Sequence, residues 1–169
     1  MVVHRPELLD ALEDLGPYPF HDTVWRHMFN DYPPDLPNTR GARWNPPGVA
    51  AVYTSLERDV ALAEAQYAID SQPLRPKAKR RVMYELDLSL TAVVDLRGDG
   101  LRQVGLTTSD LRADDHAACQ EVGAAVAWLG WDGLIVPSAR ADGGNVVVLV
   151  DAMAADAILE QVGSYELER

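Results

Sequence analysis

The feature that most constrains the fold of this chain is the order of its short apolar runs. Runs at residues 49–54, 81–88, 93–96, 134–136 and 145–150 have the length and patterning of strands, and 23–29 reads as a further one. Within the pairs 81–88/93–96 and 134–136/145–150, the second run follows the first with no helical segment between them. A doubly wound parallel sheet needs a crossover helix after almost every strand, so this order disfavours it. The expected class is α+β, with a mixed or antiparallel β core and surrounding helices. The glycines form neither GxGxxG nor a P-loop, which removes the usual phosphate-cradling signatures.

Helices fall around these runs. Pro6 at a first-turn position, residues 7–15 and then Gly16 form a Pro-start, Gly-stop helix. Ser55 stands where an N-cap belongs, with Glu57 in the first turn of a helix over 56–69. Ser109 and Asp110 lead into a helix over 115–129 that Gly130 ends, and the tail predicts another over 154–162. Residues 30–48 form a long Pro-, Asn- and Gly-rich loop. Loops of that length are usually functional or disordered, and Arg43 and Trp44 favour function.

At 169 residues the chain is expected to be one domain, 1–169, with its motifs between about 23 and 150. The net charge of −11 argues against non-specific binding to nucleic acid or anionic membrane. Arg75, Lys77, Lys79, Arg80 and Arg81 nevertheless cluster, either as a solvated loop before a strand or as a docking patch for an acidic partner. A single cysteine, Cys119, no apolar run of membrane-spanning length and no signal-peptide pattern lead to a cytoplasmic expectation.

The residue that demands explanation is Glu64. At about 100° per residue, Asp59, Gln66 and Asp70 share a polar side, whereas Glu64 falls among Val60, Ala61, Tyr67 and Ala68. A buried, unpaired carboxylate costs several kcal/mol, so it needs a partner or a task. A structural ion pair with an arginine and a catalytic role are both open. His4, His21, His27, His116 and Cys119 show no metal-ligand spacing, so no metal site is expected. Ser138 lies in PSAR rather than in a GxSxG elbow. Arg26, Trp44, Tyr53, Ser138 and Asn145 stand at strands and loop ends, where packing and local hydrogen bonding are their ordinary uses.

Together these residues resemble a known family. GARWNPPGVAAVYTSLERDVALAEAQ is similar to the central motif of RES-domain toxins, the toxin half of RES–Xre toxin–antitoxin pairs. The run from Cys119 to Gly123 and GWDGLIVPSARADGGNVVVL resemble their C-terminal motif, and VWRHMF resembles the strand carrying their first arginine. The resemblance implies that Arg26, Glu64 and Ser138 are the catalytic set, with Arg43 and Tyr53 at further pocket positions. It implies a fold similar to the diphtheria-toxin type of ADP-ribosyltransferase. It also implies cleavage of NAD⁺ by phosphorolysis or hydrolysis, with inorganic phosphate as a possible co-substrate, or transfer of ADP-ribose to a protein. The implied partner is an Xre-type helix-turn-helix antitoxin, with a possible homodimer inside the complex. On this reading Glu64 stabilises the ribosyl cation, and Arg26 and Arg43 hold the pyrophosphate. Tyr53 stacks on nicotinamide, Ser138 bonds the ribose or a phosphate, Asn145 braces the Ser138 loop, and Trp44 walls the pocket or pins its loop. A catalytically silent domain that only binds a nucleotide or a partner is the alternative from another class.

Overall fold

The computed structural model describes residues 3–29, 32–71 and 80–167. Its elements are α1 (Pro6–Leu15), β1 (Tyr18–Phe29), β2 (Ala51–Ser55), α2 (Arg58–Asp70), β3 (Arg81–Asp95), α3 (Asp99–Gln103), α4 (Thr108–Arg112), α5 (Ala117–Trp128), β4 (Gly133–Pro137), β5 (Gly144–Leu149) and β6 (Ile158–Leu167). The strands form one sheet in the order β1-β2-β5-β4-β3-β6. All pairings are antiparallel except β3 with β4, so the sheet is mixed, as the strand order suggests.

An additional antiparallel pairing of β1 with β3 brings one end of the sheet back onto the other and makes it barrel-like. Strand side chains alternate between faces, and the two faces bury separate cores. Val24, Val52, Leu86, Leu88, Ile135, Val146 and Val148 pack together inside the curl. On the outer face Ala51, Leu134, Val136, Val147 and Leu149 meet Leu8 and Leu12 of α1, Leu101 of α3, Leu111 of α4 and Val122 and Val126 of α5. Burying each such Val or Leu is worth about 1.5–3 kcal/mol, which holds the helices against the sheet.

Several expectations change here. β3 is one continuous strand rather than two, because its edges are held by β1 and β6 across the polar positions Asp87 and Ser89. The tail is not a helix over 154–162; Ile158–Leu167 pairs with β3, and tertiary hydrogen bonding overrides the local helical pattern. Ser55 is the last residue of β2 and does not cap α2, whose N-cap is Glu57. The helix expected over 115–129 is α5, preceded by α4, which Thr107 and Asp110 cap reciprocally. Of the basic cluster, Arg75, Lys77 and Lys79 lie outside the described residues. Arg80 donates to Glu166, and Arg81 to His27.

Two close contacts fix the segments that frame the site. The Trp44 carbonyl lies against Gly123 of α5, where an added Cβ would stand 1.6 Å from that oxygen. Asp132 is buried and accepts the backbone N–H groups of Thr91 and Ala92, tying the start of β4 to β3.

Candidate active site

Glu64 sits on α2 against the ends of β4 and β5. Its Oε1 accepts 2.6 Å from the Ser138 hydroxyl and 3.0 Å from the Asn145 side-chain amide. Among the described residues no donor reaches Oε2, and no arginine pairs with this carboxylate. The structural ion pair is therefore absent there, and the carboxylate is held by neutral donors at one oxygen only.

Each donor is oriented from behind. The Ser138 oxygen accepts the backbone N–H groups of Arg140 and Ala141, so its own proton is directed at Glu64. The Asn145 Oδ1 accepts from Ser55 Oγ at 2.8 Å, which turns the Asn145 amide group toward Glu64. Asn145 thus braces Glu64 rather than the Ser138 loop, whose turn is closed by the Ser138 N–H on the Gly143 carbonyl. Ser55, expected to cap α2, is instead the third member of this chain of bonds.

Glu64 lies where two cavities meet. The smaller, about 350 Å³, runs between β1 and α2 and is lined by Trp25, Arg26, His27, Phe29, Tyr32 and Ala65, among others. The larger, about 580 Å³, is bounded by Arg43, Trp44, Tyr67, Asp114, His116, Ala139 and Arg140. Tyr53, Glu64, Ala68 and Asn145 border both. Pockets of this size hold small ligands and cofactors. The apolar face of α2 divides accordingly: Val60, Ala61 and Ala65 are buried, while Tyr67 and Ala68 are exposed and border the cleft instead of entering the core.

The other expected residues occupy distinct places. Tyr53 donates its hydroxyl to Asn45 Oδ1 at 2.6 Å and accepts the Trp44 N–H at 2.9 Å, and burial pushes the phenol up from its ordinary value. Its ring is thereby fixed in the wall between the lobes. Asn45, fully buried, also donates to the Val49 carbonyl and so clamps its own loop; its place in RWNPPG was the only sequence signal for this role. Trp44 is 3% exposed and packs in the outer core, so it pins its loop while contributing to the wall of the larger lobe.

Arg26 reaches the smaller lobe, donates Nη1 to the Pro34 carbonyl at 2.6 Å, and is drawn down to about 10 by burial. Along β1 it alternates with Trp25, the partner of Ser55, and so shares a pleat face with Val24 of the inner core. Arg43 donates Nη1 to the carbonyls of Asp110 and Ala113 and holds the α4–α5 connection.

Three residues near the cleft carried no expectation of a site role. His27 accepts at Nε2 from Arg81 Nε, 2.9 Å away; burial first, then the Arg81 charge, draws it down to about 4. It is thus neutral at ordinary pH. His116 is lowered chiefly by burial and then by Arg43. Arg140 lies over the Tyr67 ring at 3.3 Å. It lies in the same PSAR run as Ser138, two residues further on. No group of three or more metal-ligating side chains occurs among the described residues.

Comparison with known proteins gives a consistent picture. A family model, the RES domain, matches residues 17–168. Curated relatives named NAD(+) phosphorylase MbcT, from Mycobacterium tuberculosis and Mycobacterium bovis, are 32% identical over 117 residues, 66% of this chain and 61% of each relative. The match therefore spans only about three fifths of those relatives' length. The crystal structure of the M. tuberculosis MbcT–MbcA toxin–antitoxin complex contains a chain that superposes with a TM-score of 0.84 at 24% identity. The superposition covers 96% of this chain and 93% of that one, and it shows a common fold.

Proposed function

Because the chain belongs to the RES-domain family, we propose that it is a toxin that cleaves the nicotinamide–ribose bond of NAD⁺, with inorganic phosphate as the attacking group. The observation that carries this reading is the one-sided anchoring of Glu64: Oε1 is bound by Ser138 and Asn145 where the two lobes meet. The curated relatives bear the name NAD(+) phosphorylase, which supports the same reaction here.

Nicotinamide leaves as a neutral base from a cationic glycoside, so the reaction needs no strong general acid. It passes through an oxocarbenium-like ribosyl centre, as glycoside cleavage does. Glu64 accepts hydrogen bonds from the ribose hydroxyls at Oε2 and stabilises the positive charge that develops on the sugar. Ser138, Asn145 and Ser55 hold the carboxylate in place before the reaction, so little reorganisation accompanies bond breaking. The Tyr53 ring stacks on nicotinamide, and the aromatic smaller lobe shields it from water. Arg26 and Arg43 supply positive potential to the pyrophosphate, and Trp44 secures the loop that bears Arg43.

A helix-turn-helix antitoxin of the Xre type is the proposed inhibitor, and the cytoplasm the proposed compartment. The structural relative, crystallised with its antitoxin MbcA, supports an antitoxin partner. No helix among the described residues is long and apolar enough to cross a membrane.

The test is nicotinamide release from NAD⁺ by pure, antitoxin-free protein, with and without inorganic phosphate. Glu64→Gln keeps an acceptor for Ser138 and Asn145 and should stay folded while losing about 10²–10³ in kcat. No release under either condition ends the enzyme reading. Label from NAD⁺ appearing in protein rather than in small products replaces phosphorolysis with ADP-ribosyl transfer.

A further inference from the structure

We infer that Arg140 is the side chain that binds the attacking inorganic phosphate; the inference rests on the phosphorolysis proposed above. Two observations carry it. Arg140 borders the larger lobe with its guanidinium carbon over the Tyr67 ring, 3.3 Å from the centroid. Tyr67 follows Glu64 by three residues on α2, so the two are neighbours on one side of the helix, their Cα atoms about 4.5 Å apart along its axis, and both border the larger lobe with Arg140. Stacking occupies the face of the planar cation and leaves its N–H edge free to form a bidentate pair with an oxyanion.

The other groups of this lobe are committed elsewhere or lack a positive charge. Arg43 donates Nη1 to two carbonyls, and its remaining donors are assigned to the pyrophosphate above. His116 is lowered by burial and by the arginine charges, which favours its neutral form. Asp114 and Glu64 are acidic, so a dianion entering here depends on a cation with unused donors. Among the described residues, Arg140 has no carboxylate partner and no acceptor for its guanidinium N–H groups.

The step balances without further reagents. A phosphate oxygen forms a bond to C1′ of the nicotinamide ribose while the C1′–N bond breaks. The bonding pair leaves with nicotinamide, giving neutral nicotinamide and ADP-ribose 1-phosphate. Arg140 exchanges no proton in this step and positions the oxyanion beside Glu64. Because the Arg140 contact to Ser138 is made by its backbone N–H, replacing the side chain leaves the Ser138–Glu64 bond intact.

The experiment is steady-state nicotinamide release by the full chain, titrating inorganic phosphate at saturating NAD⁺ and then NAD⁺ at fixed phosphate. Arg140→Gln should raise KM for phosphate at least ten-fold and leave KM for NAD⁺ within about two-fold, and Arg140→Lys should recover part of the loss. An unchanged KM for phosphate in Arg140→Gln, with the unmutated protein still phosphate-dependent, overturns this inference alone. A parallel rise in both KM values also overturns it, since Arg140 would then hold the dinucleotide. No nicotinamide release by the unmutated protein overturns the parent reading together with this one.

Discussion

Replacing Tyr53 by Phe removes one oxygen and keeps the ring, which separates anchoring of the loop from contact with substrate. That oxygen accepts the Trp44 N–H and donates to Asn45 Oδ1. Asn45 is 0% exposed and Trp44 3%, so both partners lose their bond in a buried setting. An unsatisfied buried polar group costs about 1–3 kcal/mol, so the pair should cost about 2–5 kcal/mol. Filling the vacated space raises no clash, because Phe is smaller at that atom alone. For a domain of this size each kcal/mol lowers Tm by about 2–4 °C, which gives a drop of roughly 5–15 °C. The assay is urea and thermal unfolding of both proteins, with nicotinamide release measured well below the transition. Turnover should stay within a few-fold, because the ring proposed to stack on nicotinamide is unchanged. A variant that melts within about 1 °C of the parent yet turns over a hundred-fold more slowly refutes the reasoning, since the hydroxyl would then act on substrate.

Gly123→Ala should unfold the chain or cost about 3 kcal/mol or more, because its Cβ would stand 1.6 Å from the rigid Trp44 carbonyl; denaturant midpoints check this. Ser55→Ala removes the group that orients Asn145 and leaves its Oδ1 without that donor, so kcat should fall about three- to ten-fold and Tm by about 2–6 °C. His27 should make stability fall as pH drops. Its folded value of about 4 lies below the unfolded 6.5, so the unfolded chain binds more protons between those limits. The contribution is complete above pH 6.5 and is lost as pH falls toward 4, amounting to about 1–2 kcal/mol once solvent screening at the cleft is allowed for. In His27→Gln this part of the slope of Tm against pH should vanish, and an unchanged slope assigns it to other groups.

The element order gave the class of fold because strands that follow one another directly can pair only within a mixed or antiparallel sheet. The tail differs for the opposite reason: residues 154–162 carry a helical spacing, and only pairing with β3, invisible in sequence, draws Ile158 onward into a strand while 154–157 form a turn. Glu64 was legible because a carboxylate among Val60, Ala61, Tyr67 and Ala68 contradicts the pattern of its own helix, although the structure leaves it half-buried beside an exposed Tyr67 and Ala68 rather than in the core. Its partners were legible only through whole motifs, since Asn145 reaches it from 81 residues away. Ser55 was seen but given a local task, because capping is visible at short range and a cross-strand bond to Asn145 is not. Arg140 was passed over because an arginine in a loop has no distinguishing pattern until Tyr67 is placed beneath it.

The 81-residue span between Glu64 and Asn145 has a consequence for the order in which the chain is made. α2 leaves the ribosome first, with its carboxylate still lacking both Ser138 and Asn145. At about 5–20 residues per second, roughly 4–16 s pass before the last of these partners is synthesised. β2 waits equally for β5, its partner across the register Ser55–Asn145. A nascent chain therefore carries no assembled carboxylate site until Asn145 has been translated. For a protein proposed to destroy the NAD⁺ of the cell that makes it, this late assembly confines catalysis to molecules translated past Asn145 and leaves an interval in which an antitoxin can be produced.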